Sequence, residues 1–248
     1  MSEPTRRLAV LGDGDPAAAI RSAVGDAGAR LVDRTEADAV VVVGDAALRE
    51  AMRAAATDDG RSSPILPVGD GRHAVDPDLA ADRIADADDW LGGSASAFDG
   101  FSRVAHPVLA VDGAGDAPRR FAAADVAFVT TEPARISEYG IAFSDGESVS
   151  VRADGAVIAT PLGSDGYAAA AGGPVVSPGG GLSVVPVSPF TTRPDTWVAS
   201  GGVRVTVERE AEPVALVVDG ERRGTVEPHR AVGVEIAATV DLLSATAE

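Results

Sequence analysis

Apolar positions along this chain follow two different rhythms. Up to about residue 90, short apolar runs alternate with stretches in which hydrophobic residues recur every three or four positions. Arg7–Leu11 (RLAVL) reads as a strand, and Ala39–Val43 (AVVVV) is a continuous β-branched run of the kind found in the middle of a parallel sheet. Leu31–Asp33 and Pro64–Val68 (PILPV) are shorter strand candidates. Helical spacing falls between them, over Pro16 to Ala27, Ala47 to Ala56 and Asp78 to Trp90; in the last, Leu79, Ile84 and Leu91 mark the apolar face and aspartates the other. Asp15 ahead of Pro16 supplies an N-cap and a favoured first helical residue. Strands alternating with helices predict an α/β domain, doubly wound around a mostly parallel sheet.

From Phe98 the rhythm changes to short β-like runs about every ten residues: Val108–Val111, Val126–Thr130, Ile141–Phe143, Ser148–Val151, Ala156–Ala159, Leu182–Val187, Val203–Val207, Val214–Val218 and Val232–Ala237. Regular spacing, with Gly, Asp and Pro between the runs, predicts an all-β C-terminal sandwich domain. Gly92-Gly93-Ser94-Ala95-Ser96 reads as the junction, which places the α/β domain at residues 1–95 and the β-sandwich at 96–237.

Composition narrows the chemistry. The 248 residues, 45% hydrophobic, suffice for two modest cores. A formal net charge of −17, without a basic stripe, opposes binding to a phosphate backbone, so no nucleic-acid partner is expected. All 21 basic residues are arginine and aspartate far outnumbers glutamate. That balance resembles halophilic proteins of organisms that accumulate molar salt, in which the Debye length falls to roughly 3 Å; a GC-rich genome accounts for the arginines but not for the aspartates. Without cysteine there is no disulfide framework, thiolate nucleophile or zinc-thiolate site. His73 and His106 each lack a second histidine at ligand spacing, and no protein-built metal site is expected. No run approaches 18 apolar residues and the N-terminus lacks a signal pattern, so the expectation is a cytoplasmic protein with no membrane contact.

The densest chemistry lies between Asp154 and Pro174 (DGAVIATPLGSDGYAAAAGGP). A buried strand, Ala156–Ala159, opens into a loop in which Gly163 and Gly166 permit close backbone approach. Ser164, Asp165 and Tyr167 offer a hydroxyl, a carboxylate and an aromatic face within four positions. Alanines from Ala168 to Ala171 form a helix that Gly172-Gly173-Pro174 ends. Such a surface suits a nucleotide; a strand, turn and helix with small residues for packing alone would read similarly.

Thr160-Pro161-x-Gly163-Ser164-x-x-Tyr167, followed by Ala171-Gly172-Gly173-Pro174, resembles the signature loop of the NAD kinases, of the ATP-NAD kinase and diacylglycerol kinase-like superfamily. Arg152-x-Asp154-Gly155, Pro186-x-x-Pro189, Arg193-Pro194 and Asp219-Gly220 extend the correspondence through the second half. The resemblance implies phosphorylation of the adenosine 2′-hydroxyl of NAD to give NADP, with Mg²⁺ and ATP or polyphosphate as donor. It implies a nucleotide site made from Gly44, Asp125, Arg152, Asp154, Thr160, Gly163, Ser164, Asp165 and Tyr167. A β-sandwich second domain, a dimer or tetramer, and a C-terminal segment over 238–248 that returns to the first domain, through Thr239–Leu243, follow likewise.

At the carboxyl end of Ala39–Val43 come Gly44 and Asp45, where ligands sit in open α/β sheets. NAD kinases carry Gly-Gly-Asp-Gly-Thr here, with the aspartate acting on the 2′-hydroxyl; this chain has Val43-Gly44-Asp45-Ala46-Ala47. The resemblance makes Asp45 the base or orienter, a role a carboxylate can fill when within hydrogen-bond reach. A helix N-cap is the structural alternative for the same residue. Two further departures stand out: Ala124-Asp125 occupies the slot of the family's Asn-Glu, and Asp165-Gly166 that of Thr-Ala. A carboxylate beside a diphosphate costs affinity unless it pairs with a metal or a base such as Arg152. A paralogue that binds a nucleotide without transferring phosphate, or a structural or regulatory protein, is the alternative function.

Overall fold

A computed structural model describes residues 6–58, 63–85, 101–113, 118–132, 135–209 and 213–245. The chain folds into two compact units: residues up to Ala105 together with those from Val240 onward, and His106–Thr239. The junction expected at 92–96, and the end of the third helix beyond 85, lie outside the described residues.

In the first unit, β1 (Arg7–Leu11), β2 (Arg30–Leu31), β3 (Ala39–Val43) and β4 (Ile65–Val68) pair in parallel in the order β2-β1-β3-β4. Helices α1 (Gly14–Asp26) and α2 (Asp45–Ala55) connect β1 to β2 and β3 to β4, a short 3-10 turn at Arg34–Glu36 leads from β2 to β3, and α3 (Pro77–Ala85) follows β4. The α2 residues Leu48, Ala51, Met52 and Ala55 are buried at i, i+3, i+4, i+7, the stripe that docks an amphipathic helix. One core gathers Leu8, Ile20, Val24, Val41, Leu66 and Ile84.

Asp-Pro starts a helix here, but at a second site. Asp76 accepts the Asp78 and Leu79 amides at 2.9 and 3.1 Å ahead of Pro77. At Asp15-Pro16 the helix has already begun one residue earlier, at Gly14, with Asp13 as the flanking residue. Gly14 at φ 84° bends the chain sooner than Asp15 could cap it.

The second unit is the sandwich. Its first sheet contains β8 (Ser137–Phe143), β9 (Ser148–Ala153) and β13 (Val203–Val207), with β16 (Val232–Ala245) antiparallel to β13 and β5 (Phe101–Asp112) pairing β6 (Arg120–Ala122). Its second sheet runs β12-β11-β10-β7-β14-β15, from β12 (Trp197–Ala199), β11 (Leu182–Val187), β10 (Gly155–Ala159), β7 (Asp125–Thr130), β14 (Val214–Val218) and β15 (Glu221–Val226). Val126, Phe128, Ile158, Val184 and Leu216 from one sheet meet Tyr139, Ile141, Val205 and Val234 from the other. The outer face of the second sheet carries Ala127, Val157, Ala159 and Val185 under α4 (Tyr167–Ala170).

Strand β16 was expected to end at Ala237, with a separate segment after it. It continues to Ala245 instead, and Leu242 lies parallel to Ile65 of β4. β6 and β15 carry little hydrophobic signal, because Arg120, Glu221, Arg222 and Arg223 interrupt any apolar run, and β12 (WVA) is only three residues long. Among the described residues, no helix is long and apolar enough to cross a membrane.

Candidate functional site

In the first unit the strand order reverses between β1 and β3: from β1 the chain moves outward to β2, then crosses back to β3 on the other side. The carboxyl ends of those two strands are where such sheets bind ligands. Three glycine turns meet there. A Cβ at Gly12 would overlap the Val43 carbonyl; Gly44, at φ 91°, donates its N–H to the Val68 carbonyl at 2.9 Å; and Gly69, at φ 149°, follows β4. Gly44 is the N-cap of α2, so Asp45 is its first helical residue and not the cap. The Asp45 side chain is exposed, with Oδ1 3.1 Å from where a Gly71 Cβ would stand, and it has no hydrogen-bond partner among the described residues. A carboxylate so placed favours the helix dipole and remains available to a ligand.

In the second unit the site is assembled around the backbone crossing Ala123-Ala124-Asp125, between β6 and β7. Asp219, in the left-handed region at φ 49°, turns β14 into β15 and aims its carboxylate at that crossing. Oδ2 accepts the Ala123 amide at 3.0 Å, and Oδ1 accepts those of Ala124 and Asp125 at 2.7 and 3.2 Å. The opposite side is held by the signature loop. Thr160 Oγ1 donates to the Ala123 carbonyl at 2.7 Å and contacts that of Ala124 at 3.1 Å, while the Thr160 amide donates to Ala124 O at 2.9 Å. Gly163 packs directly on Ala124; a Cβ there would overlap its carbonyl and lie 2.9 Å from its Cα.

Ser164 is buried. Its Oγ donates to the Pro161 carbonyl at 3.0 Å and accepts the Val176 amide at 2.9 Å, which ties the loop to the segment beyond Gly173. Thr160 and Ser164 therefore hold the loop's shape. Asp165 and Tyr167 are the polar side chains it exposes. Burial pushes the Tyr167 hydroxyl pKa up from its ordinary value, and the carboxylates of Asp125 and Asp154 push it further.

Asp125, Thr130, Tyr167 and Arg222 surround a trough of about 380 Å³ floored by Ala127 and Ala215 on the outer face of the second sheet. Asp154 stands half-buried at the β9–β10 corner, its carbonyl accepting the Thr130 amide at 2.9 Å and the Tyr139 hydroxyl at 3.3 Å. Its carboxylate has no hydrogen-bond partner among the described residues. Arg152 is elsewhere: it lines a separate concavity of about 560 Å³ with Phe190, Arg193 and Trp197. Its Nε donates to Glu138 at 3.2 Å, and that bond, with one from Ser150, lowers the Glu138 pKa. The base that was to offset Asp165 is thus engaged across strands with Glu138.

Of the sequence-predicted residues, Asp125 and Tyr167 share the trough, Asp154 neighbours Tyr167, and Thr160, Gly163 and Ser164 build the loop beneath. Gly44 and Asp45 belong to the first unit. Arg222 and the Asp219 cap add to the site; only the Asp219-Gly220 turn signal pointed to the cap, and nothing in the local sequence singles out Arg222. Among the described residues no three His, Asp or Glu gather as a metal cage.

A doubly wound sheet with a glycine-lined switch point, together with a β-sandwich that carries a trough of about 380 Å³, defines the class of protein. The ATP-NAD kinase C-terminal domain family matches residues 124–240. An NAD kinase of Gemmatimonas aurantiaca is 34% identical over 200 residues, covering 78% of this chain and 67% of the relative. One of Methanosarcina barkeri is 36% identical over 101 residues, 40% of this chain and 37% of its own length. Its match, like those of the Methanosarcina mazei and Methanosarcina acetivorans NAD kinases, thus spans less than two-fifths of the relative, 37% to 39%. The Archaeoglobus fulgidus NAD kinase solved in complex with ATP superposes with a TM-score of 0.71 at 22% identity, over 98% of this chain and 94% of that one. Yeast NADH kinase, solved with NADH, gives 0.70 at 16% identity over 98% and 84%. The chain belongs to the NAD kinase family.

Proposed function

We propose that this protein phosphorylates the adenosine 2′-hydroxyl of NAD to give NADP. Family membership supports the reaction class, and one observation carries the assignment to this chain: Asp45 stands exposed at the switch point, neither capping its helix nor bonded to another described residue. Its carboxylate accepts, or orients, the hydroxyl proton as O2′ bonds to the γ-phosphorus and the bond to the β,γ-bridging oxygen breaks; the nucleoside diphosphate leaves with the bridging oxygen. This requires Asp45 within hydrogen-bond reach of O2′.

NAD is the acceptor, held through Asp125, Asp154 and Tyr167 on a loop shaped by Thr160, Gly163 and Ser164, with Asp165 at its exposed edge. ATP or polyphosphate is the donor, its phosphates near Gly44. Mg²⁺ fits as a passenger on the donor, because the described residues supply isolated carboxylates and Mg²⁺ typically binds through one or two carboxylates plus substrate phosphates. When bound, that ion neutralises charge developing on the transferred phosphoryl group. A dimer or tetramer in the cytoplasm is the working assembly.

Asp45→Asn tests the role. The isostere keeps shape and removes the base, so NAD binding persists while NADP formation at matched folded fraction falls by about 10²- to 10⁴-fold. Equal rates remove Asp45 from the mechanism. A wild-type protein that binds NAD but forms no NADP is the nucleotide-binding paralogue, and one that does neither is structural or regulatory.

A further inference from the structure

We propose that Asp219 is a positioning residue: its carboxylate sets the register between Asp125 and the 160–167 loop, and through that register the affinity for NAD. This rests on the reading that Asp125 and Tyr167 hold the nucleotide. Asp219 lies 94 residues from Asp125 in sequence, and the two segments are stapled by four hydrogen bonds. Three successive amides, those of residues 123 to 125, donate to the one carboxylate, and the Asp219 amide donates back to the Asp125 carbonyl at 2.9 Å.

The geometry makes the crossing a shared part. Its N–H side is taken by Asp219, and its carbonyl side by Thr160, with Gly163 packed on Ala124. A backbone segment clamped on both sides has little freedom to slide. The loop that ends in Tyr167 takes its position from Thr160 and Gly163, so loosening the N–H side lets Asp125 and Tyr167, which face the same trough, drift apart. Three convergent amides also make a concave donor nest, of the kind that suits an anion. Here the protein fills it with its own carboxylate, so these amides serve Asp219 and not a ligand phosphate.

Charge and shape can be separated at this position. Asparagine tolerates the left-handed backbone and keeps one oxygen, but it turns an NH₂ toward the Ala123 or Ala124 amide. Asp219→Asn is therefore expected to raise the KM for NAD about tenfold, leave the KM for the phosphoryl donor unchanged and change kcat less than twofold at matched folded fraction. Gly224→Ala, which strains the same hairpin at φ 150° away from the carboxylate, gives the comparison for a purely structural loss: a lower active fraction with both KM values unchanged. Amide exchange of the unliganded protein is the second readout. In Asp219→Asn, exchange at 123–125 and at 160–167 accelerates together while β13 stays protected. Combining Asp219→Asn with Thr160→Val is expected to give less than the product of the single effects, because both clamp one segment. An unchanged KM for NAD in Asp219→Asn, or acceleration at 123–125 without any at 160–167, overturns the proposal. If wild-type protein neither binds NAD nor makes NADP, the kinase reading and the affinity claim fail together, and exchange alone decides whether Asp219 sets the loop register.

Discussion

Gly163 offers a sharp test of how the signature loop works, since its backbone φ is ordinary and only space forbids a side chain there. In Gly163→Ala the new methyl would overlap the Ala124 carbonyl and stand 2.9 Å from its Cα, where 3.4–4 Å is ordinary contact. The obstacle is backbone, held by the Asp219 carboxylate and the Thr160 hydroxyl, so it cannot swing aside as a side chain would. Relief requires the loop to retreat by about 1 Å, which strains the bonds of Thr160 to Ala123 and Ala124. Overpacking of this kind costs about 1–3 kcal/mol of stability, and a misplacement of about 1 Å near a reacting group costs on the order of 10²-fold in rate. Gly172→Ala is the matched comparison. Gly172 has φ 92° with nothing within 4 Å of a Cβ, so alanine there suffers backbone strain of about 1–2 kcal/mol without displacing the loop. Urea denaturation measures both stability losses, calorimetric titration the NAD affinity, and coupled NADP formation the turnover. The expected pattern is similar destabilisation in both variants, with affinity and turnover lost only in Gly163→Ala. Wild-type affinity in Gly163→Ala, or equal losses in the two, would refute the reasoning.

Two further outcomes follow from charge. The chain has just two tyrosines, Tyr139 and Tyr167, and burial raises the pKa of both above 10.0; since the protonated form is favoured in the folded state, their contribution to stability is complete below pH ~10 and is lost as pH rises through the folded values. Absorbance at 295 nm during alkaline titration reads both, and a midpoint at or below 10 for either contradicts that burial. With a net charge of −17, the protein is expected to lose structure as KCl falls from molar to ~0.1 M and the Debye length grows to ~10 Å; circular dichroism unchanged over that range would show that acidic repulsion does not limit its stability.

Local pattern was enough for much of this protein. β1, β3, β11, β13 and β14 match the predicted runs residue for residue, because burial shows directly in the residue pattern: a continuous apolar run in β3 and β14, an alternation of apolar and polar residues in β13. The α/β-then-β succession, the switch-point aspartate and the Thr160–Tyr167 loop were legible for the same reason: each is a contiguous stretch with its own chemistry. Polar edge strands were not, since β15 (ERRGTV) is defined by its partner β14 and not by its own composition. Nor could sequence distinguish what Thr160 and Ser164 do from what Tyr167 does. Within the loop all three look like ligand groups, and only the backbone of residues 123–125 and 176, brought underneath by the sheet, turns two of them inward and leaves the third exposed. The Asp219 cap, which converges on amides 94 to 96 residues away, exists only because β7 and β14 are neighbours in the second sheet.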